Sequence, residues 1–238
     1  MRARTEVAIR ENLACVRDEV SAALERSGRR PDEARILVAS KYYELAQISA
    51  LAEAGADLLG ENRAEDLVRK QEAFGDRFEW HFIGHLQSRK AKIVVPRVSL
   101  IHSVDSVKLI EELGKRSPEG GAVEVLIQVN VSGEGSKYGV AESEVEPLLW
   151  AAARTGKVRA RGFMTLAPLV ERAEDVRYVF AKLRAIRDRL RDSWSSHFDL
   201  SELSMGMSSD YPVAIEEGAT IIRIGRAFLA EEKRGARS

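Results

Sequence analysis

The segment Ile36-Leu37-Val38-Ala39-Ser40-Lys41 introduces the unit from which the whole chain is built. Its small and apolar residues, rich in β-formers, predict a buried strand that ends on the first lysine of the sequence. A lysine at the end of such a strand can be partly removed from water, which favours the neutral amine, a nucleophile towards carbonyl groups. The alternative is a solvated surface lysine that follows a strand by coincidence.

A strand followed by a helix recurs eight times along the chain. Strands are predicted over residues 36–41, 57–60, 79–84, 99–104, 123–130, 158–166, 203–207 and 220–228. Strict alternation predicts parallel strands covered by helices, and eight such units in 238 residues fit the closed (β/α)8 TIM barrel, which usually has about 250 residues. An open doubly wound sheet is the alternative, but its usual glycine fingerprint after the first strand is replaced by Ser40-Lys41-Tyr42-Tyr43.

The chain is predicted to be a single domain over residues 1–238. Apolar residues at helical spacing predict an amphipathic helix over about residues 6–27, before the first strand. A charged tail over about residues 230–238 follows the last strand.

The composition is that of a soluble globular protein, with 45% hydrophobic and 31% charged residues. Lys and Arg (37) balance Asp and Glu (37), so no basic field implies nucleic acid as a partner. No apolar run approaches the roughly 18 residues that a membrane span needs. Cys15 is the only cysteine, which excludes an intrachain disulfide and suits a cytoplasmic protein.

Polar and small residues collect where the predicted strands end. In a (β/α)8 barrel this carboxyl-terminal face carries the active site. The candidate residues on it are Lys41, Glu61, Asn62, Arg63, Gly84, His85, Gln87, Asn130, Ser132, Lys137, Met164, Thr165, Ser204, Gly206, Met207, Ser208, Ser209, Arg223, Gly225 and Arg226. Their shared placement predicts one functional face.

The ends of the last two strands favour phosphate binding. Met205-Gly206-Met207-Ser208-Ser209-Asp210 supplies a glycine and two hydroxyls before a short helix, of which Asp210 is the predicted N-cap. Gly225 would let a ligand approach the backbone closely. A turn and a bulge without a ligand are the alternative. Arg223 alternates with Ile222 and Ile224 and therefore points into the barrel, where it needs an acidic partner or a ligand.

A metal site is not predicted. His81 and His85 are four residues apart, but that spacing juxtaposes ligands on a helix, whereas this segment is predicted to be strand and turn. His102 and His197 show no partner pattern.

A lysine after the first strand, a phosphate cradle and an inward arginine together suggest pyridoxal 5′-phosphate (PLP). From about residue 6 to 230 the chain closely resembles the pyridoxal phosphate homeostasis proteins (the YggS/PROSC family), relatives of the barrel domain of alanine racemase. The segments that carry the resemblance are Val38-Ala39-Ser40-Lys41, Leu59-Gly60-Glu61-Asn62-Arg63, Trp80-His81-Phe82-Ile83-Gly84-His85-Leu86-Gln87-Ser88, Gln128-Val129-Asn130-Val131-Ser132-Gly133-Glu134, Gly162-Phe163-Met164-Thr165, Leu203-Ser204-Met205-Gly206-Met207-Ser208 and Ile222-Arg223-Ile224-Gly225.

The resemblance implies that Lys41 forms the internal aldimine with PLP and that Arg223 faces the pyridine nitrogen. It implies that the phosphate is held by Ser204, Gly225, the backbone at Arg226 and Ser208. Asn62, His85 and Met207 are the further cofactor-binding candidates. The chain departs from the family pattern at Tyr42-Tyr43, at Ala64 and at Arg226, where a threonine is common; an arginine there can contact phosphate by charge.

The same residues argue for a carrier. An arginine at the pyridine nitrogen disfavours its protonation and weakens the cofactor as an electron sink. Racemisation needs two proton carriers, and alanine racemases take the second from another, mostly β domain that is expected to be absent after strand eight. We therefore expect a monomeric PLP homeostasis protein that delivers the cofactor to apo-enzymes with little or no catalysis.

Two other functions stay open at this point. One is a PLP-dependent amino-acid racemase of narrow scope, with Tyr42, Tyr138 or Tyr211 as the second proton carrier. The other is a barrel enzyme that uses Lys41 as a Schiff-base lysine without a cofactor. Lys137 is a candidate second docking amine.

Overall fold

The computed structural model describes residues 2–134 and 138–229. Eight parallel strands close a barrel in chain order, with the last strand hydrogen-bonded to the first. The strands are β1 (Arg35–Ala39), β2 (Leu58–Glu61), β3 (Glu79–Phe82), β4 (Leu100–Val104), β5 (Val123–Gln128), β6 (Val158–Met164), β7 (Glu202–Ser204) and β8 (Ile221–Ile224). The predicted (β/α)8 barrel is confirmed, and the open doubly wound sheet is excluded.

Helices alternate with the strands and cover the barrel. They are α1 (Arg2–Arg26), α2 (Leu45–Glu53), α3 (Ala64–Phe74), α4 (Ala91–Val94), α5 (Val107–Arg116), α6 (Val145–Thr155), α7 (Arg177–Trp194) and α8 (Tyr211–Glu216). α1 precedes β1 and packs against α2, α8 and the 3₁₀ turn Arg226–Leu229. It therefore closes the outer layer between the first and last units of the barrel.

The sequence pattern explains the two layers of the core. Parallel strands are buried on both faces, so alternate residues of one strand belong to different clusters. In β1, Val38 packs outward under the helices, whereas Leu37 packs inside the barrel. The inner cluster is filled by large aliphatic side chains: Leu37, Leu58, Leu100, Leu126, Met164 and Ile221. The barrel interior is therefore a packed core and not a channel.

The bounds of several elements differ from the predicted ones. β1 ends at Ala39, and Ser40–Tyr42 forms a 3₁₀ turn in which the Tyr43 N–H donates to the Ser40 carbonyl at 2.9 Å. The turn places Lys41 beyond the strand rather than at its last position. The 3₁₀ turn Ala173–Val176 directly precedes α7. Ser106 caps α5, since its Oγ accepts from the Leu109 N–H at 3.4 Å.

None of the helices in the described ranges combines the length and the apolar character needed to cross a membrane.

Candidate functional site

The turn that carries Lys41 rests on a buried ion pair. Lys70 of α3 and Glu61 at the end of β2 are fully buried and paired with each other. The Lys70 ammonium also donates to the Ser40 carbonyl at 2.6 Å, and the Ser40 hydroxyl donates to Glu61 Oε1 at 2.5 Å. A buried ion pair is tolerated when its remaining polar groups are satisfied. Here those additional bonds attach the turn to the barrel.

Lys41 itself is exposed. Its Nζ lies 4.8 Å from the centroid of the Tyr42 ring, and the Arg226 guanidinium carbon lies 5.3 Å from the same centroid. Of the two alternatives for Lys41, the structure favours the solvated lysine, because β1 ends at Ala39 and the 3₁₀ turn Ser40–Tyr42 carries the side chain out of the barrel. Two cations beside one aromatic ring instead make the rim attractive to an anion.

Arg223 of β8 points into the barrel, as its alternation with isoleucines predicted. Its Nη1 donates to Ser204 Oγ at 2.5 Å and its Nη2 donates to the Thr165 carbonyl at 2.8 Å. Both direct partners are neutral. Burial lowers the pKa of Arg223 to about 10, partly offset by the charge of Asp210, so the guanidinium stays cationic at neutral pH.

Ser204, which the resemblance implies as a phosphate contact, lies inside the barrel. It is fully buried, and its Oγ lies between Arg223 Nη1 and His102 Nδ1, at 2.9 Å from the latter. As the last residue of β7 it faces the barrel interior. Its hydroxyl is therefore engaged inside the barrel rather than offered to a phosphate.

A second polar group lies at the ends of β2 and β3. Asn62 Oδ1 is buried and has no hydrogen-bond partner within residues 2–134 and 138–229. Gly84 approaches the same residue so closely that a Cβ there would lie 2.2 Å from the Asn62 carbonyl oxygen. A buried acceptor without a partner is costly and marks a place where a ligand can donate.

His85 lies on the rim after β3. It is exposed, its ring stacks on Tyr138 with centroids 4.5 Å apart, and its Nδ1 lies 3.6 Å from Asp105 Oδ2. His81, four residues earlier, lies inside the barrel. The structure therefore separates the two histidines, one inside the barrel and one on its rim.

The segment after β7 forms a tight turn. Gly206 adopts φ +92°, a conformation that favours glycine. Asp210 was predicted to cap α8, but its side chain does not cap that helix; its Oδ1 accepts from the Met207 N–H at 2.6 Å and closes the turn. Burial raises the pKa of Asp210, and both this hydrogen bond and Arg223 oppose the shift. Met207 is half-buried and Ser208 is exposed on the turn.

Gly225 directly follows β8 and lies beside the end of β1, the neighbouring strand in the closed barrel. The Tyr43 hydroxyl donates to its carbonyl at 2.7 Å. A Cβ built on Gly225 would lie 3.4 Å from the Ala39 carbonyl oxygen and 3.7 Å from the Tyr42 ring, which are ordinary contacts. The packing of the protein does not require a glycine here, so the space that a Cβ would fill is available to a ligand.

The predicted residues thus fall into two groups. Lys41, Asn62, His85, Met207, Ser208, Gly225 and Arg226 lie at the carboxyl-terminal face. Ser204 and Arg223 lie inside the barrel, below that face. Lys137 lies outside the described residues. Two buried residues behind the face, Lys70 and His102, were not among the predicted site residues. The alternation within β4 was the signal that could have placed His102 inside the barrel.

The chemistry of these groups fits PLP. An exposed amine on a braced turn can reach an aldehyde, the space at Gly225 and the cation of Arg226 suit a phosphate, and buried Arg223 can face a ring acceptor. The buried, unpartnered oxygen of Asn62 is consistent with a ligand at this face.

Comparison with known proteins agrees with this fit. The sequence model of the family described as alanine racemase, N-terminal domain, matches residues 8–231. A curated relative from Aquifex aeolicus, named pyridoxal phosphate homeostasis protein, is 42% identical over 94% of this chain and 98% of its own length. A protein of the same name from Escherichia coli (strain K12) is 37% identical over 93% of this chain and 95% of its own.

A solved structure shows the same fold. PipY from Synechococcus elongatus, described as having PLP bound, superimposes with a TM-score of 0.80 at 33% identity. The match covers 93% of this chain and 100% of that chain.

Proposed function

The chain belongs to the family of pyridoxal phosphate homeostasis proteins, and from this premise we propose that it binds PLP through Lys41 and carries it in the cytoplasm. The observation that carries the proposal is the exposed Lys41 amine, on a turn fixed by the buried Lys70–Glu61 pair. PLP would supply an electrophilic aldehyde. The Lys41 amine would hold the cofactor through a covalent bond to that aldehyde carbon. This attachment is reversible, which suits a carrier.

Arg223 is proposed to face the pyridine nitrogen. Its guanidinium keeps its positive charge in the barrel, although none of the carboxylates in the described ranges is hydrogen-bonded to it. A permanent cation at that position disfavours a proton on the ring nitrogen. The bound cofactor would then be a weak electron sink, which favours carriage over carbanion chemistry.

The phosphate is proposed to lie against Gly225, the backbone at Arg226 and the turn at Met207 and Ser208. The open space above Gly225 and the nearby Arg226 cation support this placement. Ser204 is not part of it, since its hydroxyl already links His102 and Arg223. Asn62 and His85 complete the contacts from the opposite side of the barrel mouth.

The racemase alternative needs a tyrosine on the other side of the cofactor from Lys41. The Tyr211 hydroxyl donates to Glu19 of α1 at 2.5 Å, and burial together with that carboxylate raises its pKa above the ordinary value. Tyr42 lies beside Lys41 itself. Tyr138 packs on His85. Of the three, only Tyr138 is left as a candidate second proton carrier.

The test is borohydride reduction of the protein after incubation with PLP, followed by peptide mapping. Wild-type protein should be labelled at Lys41, and the Lys41→Ala variant should lose the label. Lys108→Ala, at a lysine within helix α5, is the matched control and should keep it. A label at another lysine would contradict the site.

Catalysis and partners need separate assays. Incubation of the PLP-loaded protein with a panel of L-amino acids should give no sustained production of D-enantiomers; sustained turnover would favour the racemase. A PLP-dependent apo-enzyme mixed with the loaded protein should regain activity faster than with the loaded protein trapped by borohydride. Size-exclusion chromatography with light scattering should report the proposed monomer.

A further inference from the structure

A chain of hydrogen bonds runs through the barrel from its amino-terminal mouth to Arg223. His81 Nε2 lies 2.8 Å from Glu79 Oε1, and His81 Nδ1 lies 2.9 Å from His102 Nε2. His102 Nδ1 lies 2.9 Å from Ser204 Oγ, which accepts from Arg223 Nη1 at 2.5 Å. We call these five residues, Glu79, His81, His102, Ser204 and Arg223, the relay.

With both buried rings neutral, the two ends of the relay fix the direction of every bond in it. An arginine can only donate and a carboxylate can only accept. Ser204 therefore accepts from Arg223 and donates to His102 Nδ1, and His102 Nε2–H donates to His81 Nδ1. His81 Nε2–H then donates to Glu79. Both histidines are assigned as neutral rings with the proton on Nε2.

The burial of the relay keeps it neutral between its charged ends. His81 is 1% exposed and His102 is 0% exposed. Burial lowers the pKa of both rings. For His102 the neighbouring His81 and Arg223 add to this effect, whereas for His81 the hydrogen bond and the charge of Glu79 partly oppose it. Among the described residues, the ionisable groups that act on the relay from other elements are Arg35 of β1, Glu202 of β7 and Asp210 in the turn after β7.

A proton added to His102 would break this arrangement. Its Nδ1–H would point at Ser204 Oγ, which already accepts from Arg223, and Ser204 would lose the acceptor for its own hydroxyl. Two cations would then face one buried oxygen. The relay therefore has one stable arrangement, and that arrangement holds Ser204 as an acceptor towards Arg223.

We propose that His81 and His102 are positioning residues: through Ser204 they fix the orientation of the Arg223 guanidinium that meets the cofactor ring. The carboxylate of Glu79, held by Arg35 at 2.5 Å and by Ser99 at 2.8 Å, anchors the far end. The relay orients neutral dipoles towards the buried cation, so the guanidinium is stabilised without a carboxylate in contact. Only the last step, from Arg223 to the ring, rests on the proposed function.

The first test uses the protein without cofactor. Nuclear magnetic resonance of nitrogen-labelled histidine distinguishes the two neutral tautomers from the charged ring. Both buried histidines should show the proton on Nε2 and remain neutral from about pH 8 to about pH 6, around the ordinary histidine pKa. A proton on Nδ1 of either ring at neutral pH, or a charged ring there, would overturn the relay.

The second test asks whether the relay reaches the cofactor. His102→Leu removes the acceptor for Ser204, and PLP should bind about tenfold more weakly, as expected for one lost hydrogen bond, with a shifted absorption band. His102→Gln keeps a donor and an acceptor and should recover part of the affinity. His197→Gln, at an exposed histidine outside the relay, is the matched control.

The outcomes separate the two proposals. Wild-type affinity and an unchanged spectrum in a folded His102→Leu variant would overturn the positioning role. If wild-type protein fails to bind PLP, the proposed function fails, and the tautomers measured without cofactor still decide whether the relay exists. A His102→Leu variant that does not fold leaves the decision to those tautomers and to His102→Gln.

Discussion

The Lys70 ammonium donates a hydrogen bond to the Ser40 carbonyl at 2.6 Å, and Ser40 is the residue immediately before Lys41. One helix thereby reaches under the barrel rim and holds the main chain that carries the exposed amine. The position of Lys41 depends on a contact with α3, thirty residues away in sequence.

Replacing Lys70 by methionine should destabilise the protein strongly. It leaves the Glu61 carboxylate buried without its cation, a change that typically costs about 3–5 kcal/mol. Urea unfolding followed by circular dichroism measures the loss. Lys90→Met, which removes a surface pair with Glu65, is the control and should cost far less. Equal losses of stability in the two variants would show that the buried Lys70–Glu61 pair stabilises the protein no more than a surface ion pair does.

Arg223→Met should separate stability from cofactor binding. Burial disfavours the charged form of Arg223 because the guanidinium is removed from water. Replacing it by an apolar side chain of similar length therefore removes this desolvation cost. The variant should unfold at the same or a higher urea concentration than wild type. Its PLP affinity should fall by about tenfold or more, as for a lost charge-assisted hydrogen bond. A large loss of stability would mean that the two bonds to Ser204 and Thr165 outweigh the cost of burial.

The barrel could be predicted from sequence because its signal is local and repeated. Each unit shows an apolar strand and then a helical pattern. Because the unit recurs eight times, an error in the bounds of one element does not change the predicted fold. The turn at Ser40–Tyr42 could not be predicted in the same way, since it is held by Lys70 and Glu61 from other elements. Its shape is a tertiary effect.

The residues at the rim of the candidate site and the inward direction of Arg223 could be predicted, whereas the hydrogen bonds behind the rim could not. Lys41, Gly225 and Arg223 stand out in short segments. The bond between His102 and Ser204 joins residues 102 positions apart and exists only because the barrel closes. Ser204 was consequently placed at the phosphate, although its strand parity turns it towards the interior.

Stability should fall as the pH drops below the ordinary histidine pKa. The folded pKa of both His81 and His102 is lowered by burial, so the unfolded chain binds more protons in acid. Their contribution is complete above about pH 6.5 and is lost as the pH falls further, by up to about 1.4 kcal/mol per pH unit for each ring. Urea unfolding at several pH values measures this slope.

The matched variants identify the groups responsible. His102→Gln should reduce the slope, because it removes one of the two buried rings. His197→Gln should leave the slope as in wild type. Glu79 acts in the same direction at lower pH: its hydrogen bonds to His81 and Arg35 hold its pKa low, so its contribution fades as the pH falls below its ordinary value. An unchanged slope in His102→Gln would show that acid sensitivity arises elsewhere.

Gly225→Ala should weaken cofactor binding without unfolding the protein. The added Cβ meets the Ala39 carbonyl oxygen at 3.4 Å, an ordinary contact, and the backbone of Gly225 does not adopt a positive φ. Stability should therefore change by less than about 1 kcal/mol. The same methyl group fills the space proposed for the phosphate, and PLP affinity measured by absorbance titration should fall.

Gly206→Ala provides the contrast on the neighbouring turn. Gly206 has a φ of +92°, and a Cβ added to it would lie 2.7 Å from Ala214 Cβ. The fold itself therefore requires glycine at this position, and the substitution should reduce the free energy of unfolding by more than about 1 kcal/mol. If Gly225→Ala binds PLP as tightly as wild type, the phosphate does not lie over Gly225. If Gly225→Ala loses PLP affinity while its stability is unchanged, the phosphate lies over Gly225, because the substitution then disturbs the ligand and not the fold.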